Sequence, residues 1–243
     1  MSKDTIYATA EDADKPFTFN QAVADVFPDM LQRSIPGYAA SIEAIGSLAA
    51  RYVTPGSTCY DLGCSLGAAT LAMRFAIKMP GCRIIAVDNA PAMVRRCNEV
   101  LAAAENPGAT VVEVCHADIR DIEIADASMV VMNYTLQFLG IAARDAIIAK
   151  IHAGMLPGGL FLLSEKVVDE DPHMEELLVD LHHEHKRRND YSQLEISRKR
   201  AALENVLVPE SVAAHRTRLA QAGFVHSGVW LRYFNFVSIV AIK

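Results

Sequence analysis

Tyr60-Asp61-Leu62-Gly63-Cys64-Ser65-Leu66-Gly67 joins a short apolar run to a helical one through a glycine turn. Thr58, Cys59, Tyr60 and Leu62 predict a buried strand over about 58–62. Gly63 and Gly67 lack Cβ atoms and permit a tight turn, and Ala68 to Lys78 predicts a helix. Such a unit turns free backbone N–H groups and a helix N-terminus toward a ligand, which suits a nucleotide-like group. A plain β–α turn has the same outline. The dinucleotide fingerprint asks for glycines at its first, third and sixth places. Those places hold Gly63, Ser65 and Ala68, so a dehydrogenase is the weakest reading.

Working outward, strands and helices alternate. A second strand is predicted at 83–88, with a helix at 91–104 carrying Met93, Val94, Cys97 and Leu101 on one face. Further strands fall at 110–115, 128–132 and 160–164. A helix at 143–155 turns Ile147, Ile148 and Ile151 inward, and Pro157-Gly158-Gly159 stops it. Continuous apolar strands alternating with helices imply a parallel sheet covered on both faces. Two helices precede this core, at 20–33 and 39–52; Pro28 predicts a kink or break in the first. Residues 166–207 are polar and helical, and read as an insertion rather than a separate domain. Pro209 to Ala222 predicts a helix with proline in its first turn, and 224–242 a closing antiparallel strand pair. Residues 1–19 read as a mobile segment, and 20–243 as a single α/β domain.

Composition narrows the function. A chain of 243 residues can build one unstapled core. The net charge of −6 argues against direct capture of nucleic acid or of an anionic membrane. The five cysteines lack a Cys-x-x-Cys pair and read as reduced core residues of a cytoplasmic protein. No stretch has the pattern of a signal peptide or the roughly 20 apolar residues of a membrane span.

Several residues could carry chemistry. Gly63, Ser65 and Gly67 fit the Gly-x-Gly-x-Gly turn of S-adenosylmethionine (SAM) enzymes, with serine in the middle. Asp88 ends the second strand, where a carboxylate can accept both ribose hydroxyls; Asn89 competes for the helix-capping role and so frees it. Asp118-Ile119 follows the third strand, where it either receives an adenine amine or forms a turn. Asn133 closes the fourth strand, at the crevice or in a turn. His182, His183 and His185 cannot share one helix face, and read as a solvated face rather than a metal site. The runs Lys186-Arg187-Arg188 and Arg198-Lys199-Arg200 read as ion-paired helix surface, or as the source of an arginine closing over an anionic substrate. No general base and no Ser-His-Asp set appears, and methyl-group chemistry at a sulfonium needs little beyond alignment.

From about Val26 onward the chain resembles the carboxy-S-adenosyl-L-methionine synthases, SAM-dependent, methyltransferase-like enzymes of tRNA wobble-uridine modification. Phe27-Pro28-Asp29-Met30, Arg33-Ser34, Pro36-Gly37-Tyr38, the stretch 60–70, Asn133 to Leu139, Ser164-Glu165-Lys166 and Tyr191 to Val206 carry the resemblance. The last lies outside the general methyltransferase signature. The resemblance implies a class I SAM-dependent methyltransferase-like, Rossmann-like doubly wound sheet. It implies conversion of SAM and prephenate to carboxy-SAM, phenylpyruvate and water, with released carbon dioxide captured on an ylide-like SAM methyl. It implies SAM or carboxy-SAM contacts from Tyr38, Gly63, Cys64, Ser65, Asp88, Asn89, Asp118, Ile119 and Asn133, with Arg200 on the added carboxylate. No metal is implied. A homodimer is implied, as is a downstream tRNA carboxymethyltransferase that uses the product. The competing expectations are an ordinary SAM-dependent methyltransferase acting on a small molecule or tRNA, and a non-catalytic SAM-binding partner protein. A reactive ylide needs a dry pocket, for which the helical insertion is the candidate lid.

Overall fold

The computed structural model describes residues 2–8, 16–106, 110–204 and 206–243. Its centre is a mixed sheet built from β1 (Thr58–Leu62), β2 (Arg83–Asp88), β3 (Val111–His116), β4 (Ala127–Asn133), β5 (Met155–Val168), β7 (His226–Tyr233) and β8 (Phe236–Ile242), in the order β3-β2-β1-β4-β5-β8-β7. The two-residue β6 (Glu210–Ser211) pairs with the end of β5. Strands β1 to β5 run parallel and β8 and β7 antiparallel. The order reverses between β1 and β4, which opens a crevice at their carboxyl ends.

Alternation along β4 shows how the faces are covered. Met129 and Val131 face α2 (Tyr38–Tyr52) and α3 (Ala68–Ala76), packing with Ile45, Ala49 and Met73. Val130 and Met132 face α5 (Ile141–Gly154) and α8 (Val212–Ala222), packing with Ile147, Ile151 and Leu219. Helix α4 (Pro91–Ala103) lays Cys97 and Leu101 against Ala86 of β2. Above the carboxyl ends lie α1 (Gln21–Ser34), α6 (Pro172–Arg188) and α7 (Gln193–Leu203).

Four expectations change. Helix α1 runs through Pro28 without ending there, because Phe27 and Met30 on either side are buried against Tyr7, Phe17 and Met93. Strand β5 is far longer than 160–164; it carries Pro157-Gly158-Gly159 within it and reaches Val168, so the helical insertion starts later than 166. Pro209 lies outside its helix, which starts at Val212 with Ser211 as N-cap. Residues 2–8 and 16–19 are not a loose tail: Asp4, Tyr7 and Phe17 are buried, and the Phe17 amide donates to the Ala202 carbonyl at 3.0 Å. Residues 1 and 9–15 of that segment lie outside the described residues.

Candidate functional site

The glycine turn begins where β1 ends. Gly63 has φ +84° and Gly67 φ +82°, both in the left-handed region that favours glycine. A Cβ on Gly63 would collide with the Thr135 side chain, and one on Gly67 would stand 2.8 Å from Cys97 Sγ. Ser65 takes φ +50°, a conformation in which non-glycine residues are uncommon. The Gly63 and Cys64 amides donate to the Val87 carbonyl at 2.8 and 2.9 Å, which ties the turn to β2. Asp61 is fully buried beneath it and accepts from Thr70 Oγ1 at 2.6 Å, fixing the first turn of α3. Burial pushes the Asp61 carboxyl up to about 6.

Asp88 braces the same turn from the end of β2. Its Oδ2 accepts from the Ser65 amide and its Oδ1 from the Ala90 amide, both at 2.9 Å. Neither Asp88 nor Asn89 caps α4: Ala90 holds the N-cap position without a side-chain cap bond, and Asp88 takes only the Ala90 amide just ahead of the helix. Each carboxylate oxygen keeps lone-pair capacity for a further donor. Burial raises the Asp88 pKa, while the Ala90 and Ser65 amides hold it down. Asp118 is gripped by Arg120, whose Nε and Nη2 lie 2.9 and 2.6 Å away, and it also accepts the Arg120 amide, so the turn geometry is present. Arg120 holds the Asp118 pKa below its ordinary value.

Asn133 ends β4 with its Oδ1 buried and without a hydrogen-bond partner among the described residues. A buried acceptor left open toward a cavity marks a place for a donor, such as a ligand ammonium. Next to it Tyr134 is held at φ +63°.

These residues surround one cavity of about 1030 Å³. All ten expected positions line it: Tyr38, Gly63, Cys64, Ser65, Asp88, Asn89, Asp118, Ile119, Asn133 and Arg200. Its size is at the upper end of ordinary ligand pockets, which leaves room for two small molecules together. Phe19 and Phe138 wall part of it with an edge-to-face pair at 5.2 Å. Helices α6 and α7 close over it and contribute His182, His183, Lys186, Lys199 and Arg200. Arg200 itself is exposed at the rim.

The insertion differs from its sequence reading. His182 is not on a solvated face; it is 4% exposed, and its Nε2 donates to the Ser34 carbonyl at 2.9 Å. Lys186 and Lys199 are buried too, so the basic runs are not simply ion-paired surface. Lys166, Lys186 and Lys199 line the cavity too, though nothing in the sequence assigned any of them a ligand-binding role of its own. Their one signal was an excess of basic residues in a segment with few apolar ones. Among the described residues no group of three or more His, Cys, Asp or Glu side chains could hold a metal ion. No helix there is long and apolar enough to cross a membrane.

The potential nucleophiles and bases are quiet. The Cys97 thiol and burial both raise the Cys64 thiol pKa, and burial raises the Tyr38 and Tyr134 phenols. Burial pushes His182 down to about 2, so its ring stays neutral.

The family profile described as a methyltransferase domain matches residues 60–159. Among solved structures, an O-methyltransferase family protein from Burkholderia thailandensis has a TM-score of 0.65 at 15% identity, covering 95% of this chain and 64% of that one. Human N-acetylserotonin methyltransferase in complex with SAM has a TM-score of 0.62 at 16% identity, covering 98% and 57%. These likenesses show the fold alone: a class I methyltransferase-like sheet. The carboxy-S-adenosyl-L-methionine synthase of Aliivibrio fischeri is 55% identical over 99% of this chain and 98% of its own length. That of Vibrio parahaemolyticus is 57% identical over 99% and 97%. With likeness of that depth along the whole chain, and the site residues gathered on one cavity, the chain belongs to the carboxy-S-adenosyl-L-methionine synthase family.

Proposed function

We propose that this protein converts SAM and prephenate to carboxy-SAM, phenylpyruvate and water. The observation that carries the reading is that Arg200, from the insertion, lines the same cavity as the glycine turn, Asp88 and Asn133. Asp88 is suited to the ribose hydroxyls, Asn133 Oδ1 to the amino group, and Asp118-Ile119 to the adenine. Arg200 would grip the new carboxylate with two parallel N–H donors.

Loss of carbon dioxide from prephenate expels the ring hydroxyl as hydroxide and leaves phenylpyruvate. The hydroxide and the proton of the SAM methyl together make the water. The methyl carbon, left with an electron pair, bonds to the carbon dioxide. Atoms and charge balance without a protein base, in keeping with the neutral His182, Cys64, Tyr38 and Tyr134. The chain's own part is to hold the two molecules in contact and keep solvent out behind the aromatic wall and the insertion. In this reading the protein works as a cytoplasmic homodimer, and its product supplies a carboxymethyltransferase acting on tRNA wobble uridine.

The test is mass spectrometry after incubation with SAM and prephenate. SAM heavier by one carboxyl group is expected only when both are present. S-adenosylhomocysteine accumulating without prephenate would instead mark an ordinary methyltransferase. Cofactor binding with no turnover would mark a non-catalytic partner. A single side-chain change that abolishes exchange of the methyl protons while both ligands still bind would assign the base to the protein.

A further inference from the structure

We propose that Lys186 of α6 and Lys166 of β5 seat the carboxylate that the dicarboxylate substrate keeps, while Arg200 receives the one it gives up; this rests on the prephenate reading above. Prephenate carries two carboxylates. One leaves as carbon dioxide and ends on the sulfonium methyl. The other stays on phenylpyruvate throughout and needs a cation of its own, because one guanidinium grips one carboxylate.

The charges in the cavity show where that cation is. Among the described residues, its cationic side chains are Arg120, Lys166, Lys186, Lys199 and Arg200. Two are already engaged. Arg120 forks onto Asp118, and Lys199 lies 3.5 Å from Asp4 Oδ2 and donates to Ser34 Oγ at 3.1 Å. Lys166, Lys186 and Arg200 make no ion pair and no side-chain hydrogen bond among the described residues. Glu175 is close enough to favour the charge on Lys166 but makes no ion-pair contact with it among the described residues. Lys186 is 8% exposed. A buried ammonium without a counter-charge is unfavourable, and so is a cluster of like charges; a bound anion relieves both. Consistent with this, burial and the neighbouring Lys199, Lys166 and Arg200 push Lys186 down to about 7, with Asp4 acting against them from beyond ion-pair distance.

The two lysines are held in place by their surroundings. The Lys166 amide donates to Gln137 Oε1 at 3.0 Å, and the buried Glu165 beside it accepts the Leu136 amide at 3.0 Å. Lys186 stands one helical turn beyond His182, which is anchored to Ser34. The lysines come from different elements than Arg200, so the two ends of the diacid are held by separate parts of the fold.

The experiment compares wild type with Lys186→Met, Lys166→Met and Arg200→Ala. It measures the prephenate KM, the inhibition constant of phenylpyruvate, and the SAM dissociation constant by calorimetry. Thermal unfolding is followed in parallel, and the Met variants keep the length of the lysine stem. Each lysine variant should raise the prephenate KM and weaken phenylpyruvate inhibition by roughly tenfold or more, with SAM affinity within about twofold of wild type. Arg200→Ala should leave phenylpyruvate inhibition within about twofold of wild type. Unchanged phenylpyruvate inhibition in both lysine variants overturns the proposal. So does an equal loss of SAM affinity, which would place the lysines on the carboxylate of SAM itself. If wild type forms no carboxy-SAM, the reaction reading falls; direct phenylpyruvate binding to wild type and Lys186→Met then still decides the seat, and equal binding overturns it.

Discussion

Asn133 makes the sharpest case at the scale of single residues. Its Oδ1 has no partner among the described residues, so truncating it removes no intramolecular hydrogen bond. Asn133→Ala should therefore leave thermal stability nearly unchanged yet weaken SAM binding by roughly tenfold, the worth of one good hydrogen bond to a charged donor. Calorimetry beside thermal unfolding checks both halves; a stability loss with normal SAM affinity would make the side chain structural. Arg200 is the complementary case, exposed at the rim and outside the SAM turn. Arg200→Ala should weaken carboxy-SAM far more than SAM, since only the former has a carboxylate for the fork. Equal losses for the two ligands would place the arginine elsewhere. Asp88 shows why one residue can hold two tasks. Its carboxylate braces the turn and α4 through two amides and still has lone pairs facing the cavity.

Among the elements, α7 depends on the N-terminal segment. Asp4 Oδ2 accepts from Tyr191 Oη at 2.5 Å and pairs with Lys199, next in sequence to Arg200. The Asp4 amide donates to Asp29 Oδ2 at 2.7 Å, and Arg33 donates to the Asp4 carbonyl at 3.2 Å. The Arg33 guanidinium also lies 4.0 Å from the Tyr191 ring centroid. Asp4 thus joins the start of the chain to α1 through its backbone amide and carbonyl, and to Tyr191 and α7 through its buried carboxylate. Asp4→Asn leaves Lys199 buried without its counter-charge, so it should lower stability by about 3 kcal/mol. It should also weaken carboxy-SAM more than SAM, because α7 carries Arg200. Urea unfolding and the ratio of the two affinities test this. A stability loss with an unchanged ratio would limit Asp4 to holding the fold together.

Over the whole molecule, charge is sorted by place. The chain carries −6 overall, while the cavity gathers unpaired cations. Burial also sorts the titrating groups. His215 on α8 is 1% exposed, and burial pushes it down to about 4, with Arg218 and Arg144 acting in the same direction and Glu210 against them. Its folded pKa lies below the unfolded one, so the neutral ring is favoured in the fold. That contribution is complete above about pH 6.5 and is lost as pH falls toward 4. His215→Gln should flatten the acid-side loss of stability by roughly 3 kcal/mol over that window, read from urea unfolding at several pH values. Asp61 acts with the opposite sign. Its pKa is raised to about 6, so its charge burdens the fold above that pH and the burden lifts as the carboxyl protonates. An Asp61→Asn variant separates the two effects, and an identical pH profile in wild type and His215→Gln would show that His215 titrates normally.

Most of the order of strands and helices, the glycine turn, and Asp88, Asp118 and Asn133 at the strand ends could be read from the chain, because each rests on local spacing. The full set of ten cavity positions, Tyr38, Cys64 and Arg200 among them, came instead from the family resemblance. Apolar periodicity marks strands, missing Cβ atoms mark the turn, and position at a strand end marks the crevice. What escaped is long-range. Pro28 looks like a break until Phe27 and Met30 are seen buried around it. Asp4 looks like part of a polar tail until Tyr191 and Lys199 come to meet it from beyond position 190. His182, Lys186 and Lys199 look like solvated helix surface until α6 and α7 fold over the crevice. Polar residues carry no periodic signal of burial. Whether such a group is dissolved in water, paired, or left waiting for an anion is decided only by what the rest of the chain brings beside it.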